Sequence, residues 1–126
     1  MPASNFSEYV QSLQDKVNFV VSSGEARLIH LTIESRSSFM GLIAGILQFK
    51  DESELHFREF VNVNLAEPRQ MYAYHYQDQE KNLVFRYDNA AHRPHLSQPE
   101  HKHTPHDIVI GLSPLLVEVI DEILFA

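Results

Sequence analysis

Two short runs carry residue types able to do chemistry on a phosphate or to hold a metal: RYDN at 86–89 and HKH at 101–103. With His92, His95 and His106, five of the chain's eight histidines fall within residues 92–106. Imidazole titrates near neutral pH, so a neutral and a protonated histidine can take and give a proton across a phosphodiester. Any two of the five histidines could make such a pair. Arg86 and Lys102 are candidates to stabilise charge developing on phosphate, and Asp88 to orient an imidazole. RNA supplies its own nucleophile, the 2′-hydroxyl, so such a site needs no serine or cysteine.

The same side chains support other chemistries. Residues i and i+2 of an extended chain project to one side, so His101 and His103 can grip one ion, and with Asp88 they make a ligand set for zinc or another transition metal. His92-x-x-His95 and His103-x-x-His106 are further chelating spacings. A third reading is a polar, His-rich surface loop. There is no HExxH to choose among them, and no cofactor is expected, with a transition metal as the alternative.

The elements that position these residues follow from hydrophobic period. Phe6, Val10, Leu13, Val17 and Val20 recur at helical spacing, with Gly24 where a C-terminal cap belongs. RLIHLTIES alternates with Ile29, Leu31 and Ile33 on one face; FMGLIAGILQF is apolar on both faces, with Gly41 and Gly45 allowing close approach or a bulge. ELHFREFVNVN, MYAYHYQ and LVFRYD complete five strand-like runs joined by short turns, an antiparallel meander. Residues 90–112 read as a His/Pro-rich loop carrying the site. Ser113-Pro114 then supplies an N-cap and first-turn proline for a helix with Leu116, Val119, Ile120 and Ile123 inside. The expectation is one α+β domain over 1–126, an antiparallel sheet of about five strands with an N-terminal and a C-terminal helix.

Strand parity adds secondary candidates. Glu59 shares a face with Leu55, Phe57, Val61 and Val63, where an ionised carboxylate must be paired or stand at a cleft. His75 lies opposite a stripe of Tyr72, Tyr74 and Tyr76, and Asn89 follows Asp88 at a strand end, where a reactive group can hang from a rigid element or a turn can simply be capped.

The bulk numbers exclude several classes. Without cysteine there is no disulfide framework, thiolate metal site or cysteine nucleophile. A formal charge of −7 argues against a generic nucleic-acid binder and leaves the 86–106 segment as the one locally basic candidate. The start MPASNFSEYV lacks the basic run and apolar stretch of a signal peptide, and no run reaches the ~18–20 apolar residues of a membrane span. A cytoplasmic chain with no membrane contact is expected.

YAYHYQD, then NLVFRYDNA, then a histidine, then HKH ahead of a short acidic helix resembles the TumE-type toxins of bacterial toxin–antitoxin pairs, mainly over Phe57–His103. Departures are Arg93 where the family pattern has a second histidine and Glu100 where another histidine is common. The resemblance implies a toxin neutralised by a cognate antitoxin, with ribonuclease-like activity and RNA as partner. It points to Arg86, Asp88, Asn89, His101, Lys102 and His103 as site residues, with His101 and His103 as general base and general acid ahead of His92 and His95, and with His75 and Glu59 at family-like positions. The competing classes are a non-enzymatic binding module whose His-rich loop is a surface or metal clasp, and a metal-dependent hydrolase.

Overall fold

The computed structural model describes residues 2–90 and 100–126. Helix α1 (Phe6–Ser22) is followed by strands β1 (Ala26–Ser35), β2 (Met40–Phe49), β3 (Glu54–Asn62), β4 (Arg69–Gln77), β5 (Leu83–Asp88), β6 (His101–His103) and β7 (Ile108–Ile110), then helix α2 (Leu116–Leu124). The strands form one antiparallel sheet in chain order.

Both helices lie on the same face of that sheet. Phe6, Val10, Leu13, Val17 and Val20 of α1, and Leu116, Val119 and Ile120 of α2, pack with Ile43, Leu47, Leu55, Phe57, Val61 and the inward aromatics of β4 and β5. α1 begins at Asn5, whose Oδ1 accepts from Glu8 N at 2.8 Å. It ends as the sequence implies: Gly24 at φ +80° lets its own N–H and that of Glu25 bond back to Val21 O and Val20 O, the doubly bonded glycine stop.

Gly41 and Gly45 serve close approach. A Cβ on Gly41 would lie 2.2 Å from the Phe6 ring and 2.6 Å from Glu34 O; one on Gly45 would lie 2.5 Å from the Phe57 ring and 2.8 Å from His30 O. The bulge falls on the partner strand instead. Leu28 pairs with Leu47 and His30 with Ile46, leaving Ile29 between them. Ile29 is therefore exposed, and Leu28 takes the inward place that uninterrupted alternation assigns to it.

Two more expectations are corrected. The sheet has seven strands rather than five, because the segment read as a 90–112 loop contributes β6 and β7. Three-residue strands carry too little alternation to register as strands. Ser113 does not cap α2: Leu115 stands at the N-cap, its N–H donating to Glu118 Oε1 at 2.8 Å, and Ser113 faces Arg69.

Gly41→Ala and Gly45→Ala should each destabilise the fold by about 1–3 kcal/mol through overpacking, read as a lower urea midpoint at unchanged slope.

Candidate active site on the open sheet face

A strand shows alternate side chains to opposite faces, and the register decides which of them meet. On the face away from the helices, Asp88 of β5 stands opposite His101 of β6, and Arg86 opposite both His103 of β6 and His75 of β4. Asp88 is the hub. Its Oδ1 lies 2.7 Å from His101 Nε2 and accepts from Ala90 N at 3.1 Å. Its Oδ2 accepts from Arg86 Nε at 2.9 Å and lies 3.8 Å from His103 Nε2. The two imidazoles meet edge to face at 4.6 Å between centroids. One carboxylate thus bonds an imidazole and a guanidinium and stands close to a second imidazole.

Burial sorts these groups by task. His101 is fully buried and Asp88 nearly so, whereas the side chains of His103 and Arg86 are 22% and 40% exposed. His103 and Arg86 can touch a substrate; His101 and Asp88 stand behind them. His75 Nδ1 lies 3.5 Å from an Arg86 guanidinium nitrogen. Burial first, and then the charge of Arg86, hold the His75 imidazole below its ordinary pKa.

The donor atoms of Asp88, His101 and His103 all lie within 4.8 Å of one another, so these three residues are chemically competent to hold a transition metal. They are also the three that the sequence singles out for that purpose.

The remaining candidates divide. Lys102 points to the other face, where its Nζ bonds Glu122 Oε2 of α2 at 3.1 Å and lies 4.9 Å from the centre of the Tyr87 ring. It ties α2 to the sheet and does not face the Asp88 cluster. Asn89 is a structural bridge: its Oδ1 accepts from Tyr72 N at 3.1 Å and its Nδ2 donates to Gln70 O at 3.2 Å. His92 and His95 lie outside the described residues.

Glu59 is buried beneath the helices, away from the site. It accepts from the hydroxyls of Tyr9 and Tyr74, both at 2.5 Å. Burial pushes its carboxyl up, while those hydroxyls and nearby Arg69 pull it back. Arg69 continues the network, donating to the Tyr74 hydroxyl at 3.2 Å, Pro114 O at 2.6 Å and Ser113 Oγ at 2.9 Å. The apolar-face carboxylate is therefore paired, which is the structural reading of that oddity. Among the described residues no buried side-chain polar atom lacks a partner.

Sequence reasoning passes over His30, His56 and Arg58, which share the open face with the site. The parity of His56 and Arg58 is legible in ELHFREFVNVN, since Glu59 inward puts both outward, and that of His30 in RLIHLTIES, but the alignment across strands is not.

With this geometry in hand, comparison with known proteins gives one result. The family model described as Toxin TumE matches residues 11–124, most of the chain. The chain belongs to the TumE toxin family. Membership makes this TumE-family chain the toxin component of a toxin–antitoxin system, with a cognate antitoxin as partner. No curated protein and no solved structure matches it. No helix among the described residues is long and apolar enough to cross a membrane.

In a proton NMR titration His75 should have its midpoint below the usual imidazole value of about 6.5, and Arg86→Leu should raise it. A depressed folded-state pKa favours the fold above the unfolded value, so this contribution is lost as pH falls from about 6.5 through the folded midpoint; His75→Gln should flatten that part of the urea-midpoint profile. Tyr74→Phe should cost about 1.5–3 kcal/mol, the usual worth of a hydrogen bond to a charged partner, and leave the His75 titration unmoved.

Proposed function

We propose that this toxin is a metal-independent ribonuclease whose reacting groups are His75, Arg86 and His103. The observation that carries the reading is their order: three adjacent strands put a guanidinium between two imidazoles in one cross-strand row. Neighbouring strands lie about 4.8 Å apart, so a phosphate seated on Arg86 has one ring on either side at roughly that spacing.

His75, kept neutral by burial and by Arg86, acts as general base and takes the proton of the RNA 2′-hydroxyl. The 2′-oxygen forms its bond to phosphorus as the bond from phosphorus to the 5′-oxygen breaks. His103, beside the Asp88 carboxylate that compensates an imidazolium, gives its proton to that leaving oxygen. Arg86 holds the extra negative charge of the phosphorane-like transition state. Asp88 fixes the orientation of His101, Arg86 and His103 together. His101, wholly buried, acts here through Asp88 as a positioning residue rather than as the second proton carrier.

His103→Ala and His75→Ala should each lower cleavage of single-stranded RNA by about 10²–10⁴-fold, and relieve the growth arrest that the wild-type chain causes when expressed without its antitoxin. Full activity in either variant removes that residue from the mechanism. Arg86→Gln should also move the acidic limb of the pH–rate profile upward, because the guanidinium no longer opposes protonation of the base.

The clustering of the Asp88, His101 and His103 donor atoms supports a second reading, a metal-dependent hydrolase. Stoichiometric metal in the purified protein with activity abolished by chelator would decide for it; chelator-resistant cleavage decides for the histidine pair.

A further inference from the structure

The open face extends well beyond the site. One row of mutually opposed residues crosses the sheet from β1 to β6 as His30, Ile46, His56, His75, Arg86 and His103. The neighbouring row contains Ala44, Arg58, Ala73 and Asp88 in consecutive strands. At about 4.8 Å per strand, the first row runs roughly 24 Å. Arg58 stands between two alanines, so small side chains leave its exposed guanidinium clear above the sheet.

A shallow groove of about 380 Å³ follows these rows, lined by His30, Ile46, His56, Arg58, His75 and Arg86 together with small or aromatic neighbours. None of its lining residues is acidic, in a chain with 17 Asp and Glu against 10 Lys and Arg. The acids near it are engaged or removed. Glu54 bonds His56 at 2.9 Å, and Glu34 pairs with Arg36 at 3.4 Å. Asp51, Asp78 and Glu80 gather at the hairpin tips around a separate pocket. Among the described residues Arg58 forms no ion pair. An acidic body that lines one groove without a carboxylate, ties the acids at its rim (Glu54, Asp88 and Glu34) to His56, Arg86 and Arg36, and keeps Arg58 standing in it has the charge pattern of a polyanion seat.

We infer that this groove is a binding track for the backbone of single-stranded RNA, leading across β1–β4 into the Arg86–His103 site. The inference rests on the ribonuclease reading for the identity of the polyanion and deepens it by naming where the rest of the strand lies. Guanidinium and imidazole planes suit the job twice over, meeting phosphates by charge and unpaired bases by stacking. His56 and His75 pack edge to face in the groove wall, 6.2 Å between centroids. The acidic hairpin tips repel a strand that strays toward that end of the sheet.

The test is fluorescence anisotropy with a labelled, unstructured 20-nucleotide RNA at several salt concentrations, on the full chain carrying His103→Ala so that the RNA survives. Adding Arg58→Ala should weaken binding and reduce the slope of log K against log salt by about 0.7, one phosphate contact on a single strand; Arg58→Glu should weaken it further. Arg58 is exposed, so circular dichroism of these variants should match the parent. Unchanged affinity and slope in Arg58→Glu overturns the track. So does tighter binding of poly-L-glutamate than of RNA, which makes the groove a seat for an acidic polypeptide. The two readings fail separately: Arg58-dependent binding with no cleavage by the wild type sinks the ribonuclease and keeps the track, whereas His103-dependent cleavage indifferent to Arg58 sinks the track and keeps the ribonuclease.

Discussion

Alternation along the strands is the constraint on which everything else in this molecule rests. With a side-chain period of two, every strand is divided between a layer that the helices cover and a layer that they do not. A slip of one residue at any ladder would exchange Tyr74 for His75, or Tyr87 for Asp88, and bring charge into the core. The irregularities are placed accordingly. Register shifts fall at Leu28/His30, Phe60/Val61 and Tyr76/Gln77, so the stretches of β3, β4 and β5 that carry His56, Arg58, His75, Arg86 and Asp88 lie between shifts and keep unbroken pairing. Twist and strand length are adjusted at the ends; the alignment of the chemistry is left intact.

Polar groups nevertheless cross into the covered layer, and they do so as a closed network. Glu59, Tyr9, Tyr74 and Arg69 link α1, β3 and β4, and Arg69 reaches on to Ser113 and Pro114 at the approach to α2. A buried carboxylate among apolar side chains is tolerable only when its lone pairs are filled, and here two hydroxyls fill them while a guanidinium lies close by. Such a network contributes less to net stability than apolar residues of the same volume often do. What it fixes is geometry: the chain entering α2 is tied to the sheet by named hydrogen bonds, and Lys102 with Tyr87 does the same for the helix body through Glu122.

Much of the fold is written in the sequence as period and punctuation. The first helix, its glycine stop, the five longer strands and the inward face of the last helix are all legible there, because each rests on local rules. The face shared by Arg86 and Asp88 is legible too, whereas residue type groups Lys102 with His101 and His103 over a phosphate and only its place in β6 turns it to the covered face. The rest depends on who pairs with whom. HKH and IVI become strands only because β5 offers a ladder to extend, and Ile29 turns outward only because β1 bulges against β2. Arg58 joins the site face through β3–β4 register, which no run of residues within one strand encodes. His101 is buried for a tertiary reason as well, which is why residue type alone could not rank it behind His103.

The brevity of β6 has a consequence for how the site lives within the fold. His101 and His103 are secured by a three-residue strand whose outer neighbour, β7, is equally short and carries exposed Ile108, Val109 and Ile110. The packed layer between α1, α2 and β2–β4 meets β6 through Lys102, which reaches Glu122 of α2, and no described residue of β7 belongs to that core. Opening them exposes little of that core and so costs less than global unfolding. Opening of this margin is therefore a smaller step than unfolding of the packed layer, and it is the step that would part His101 and His103 from Asp88.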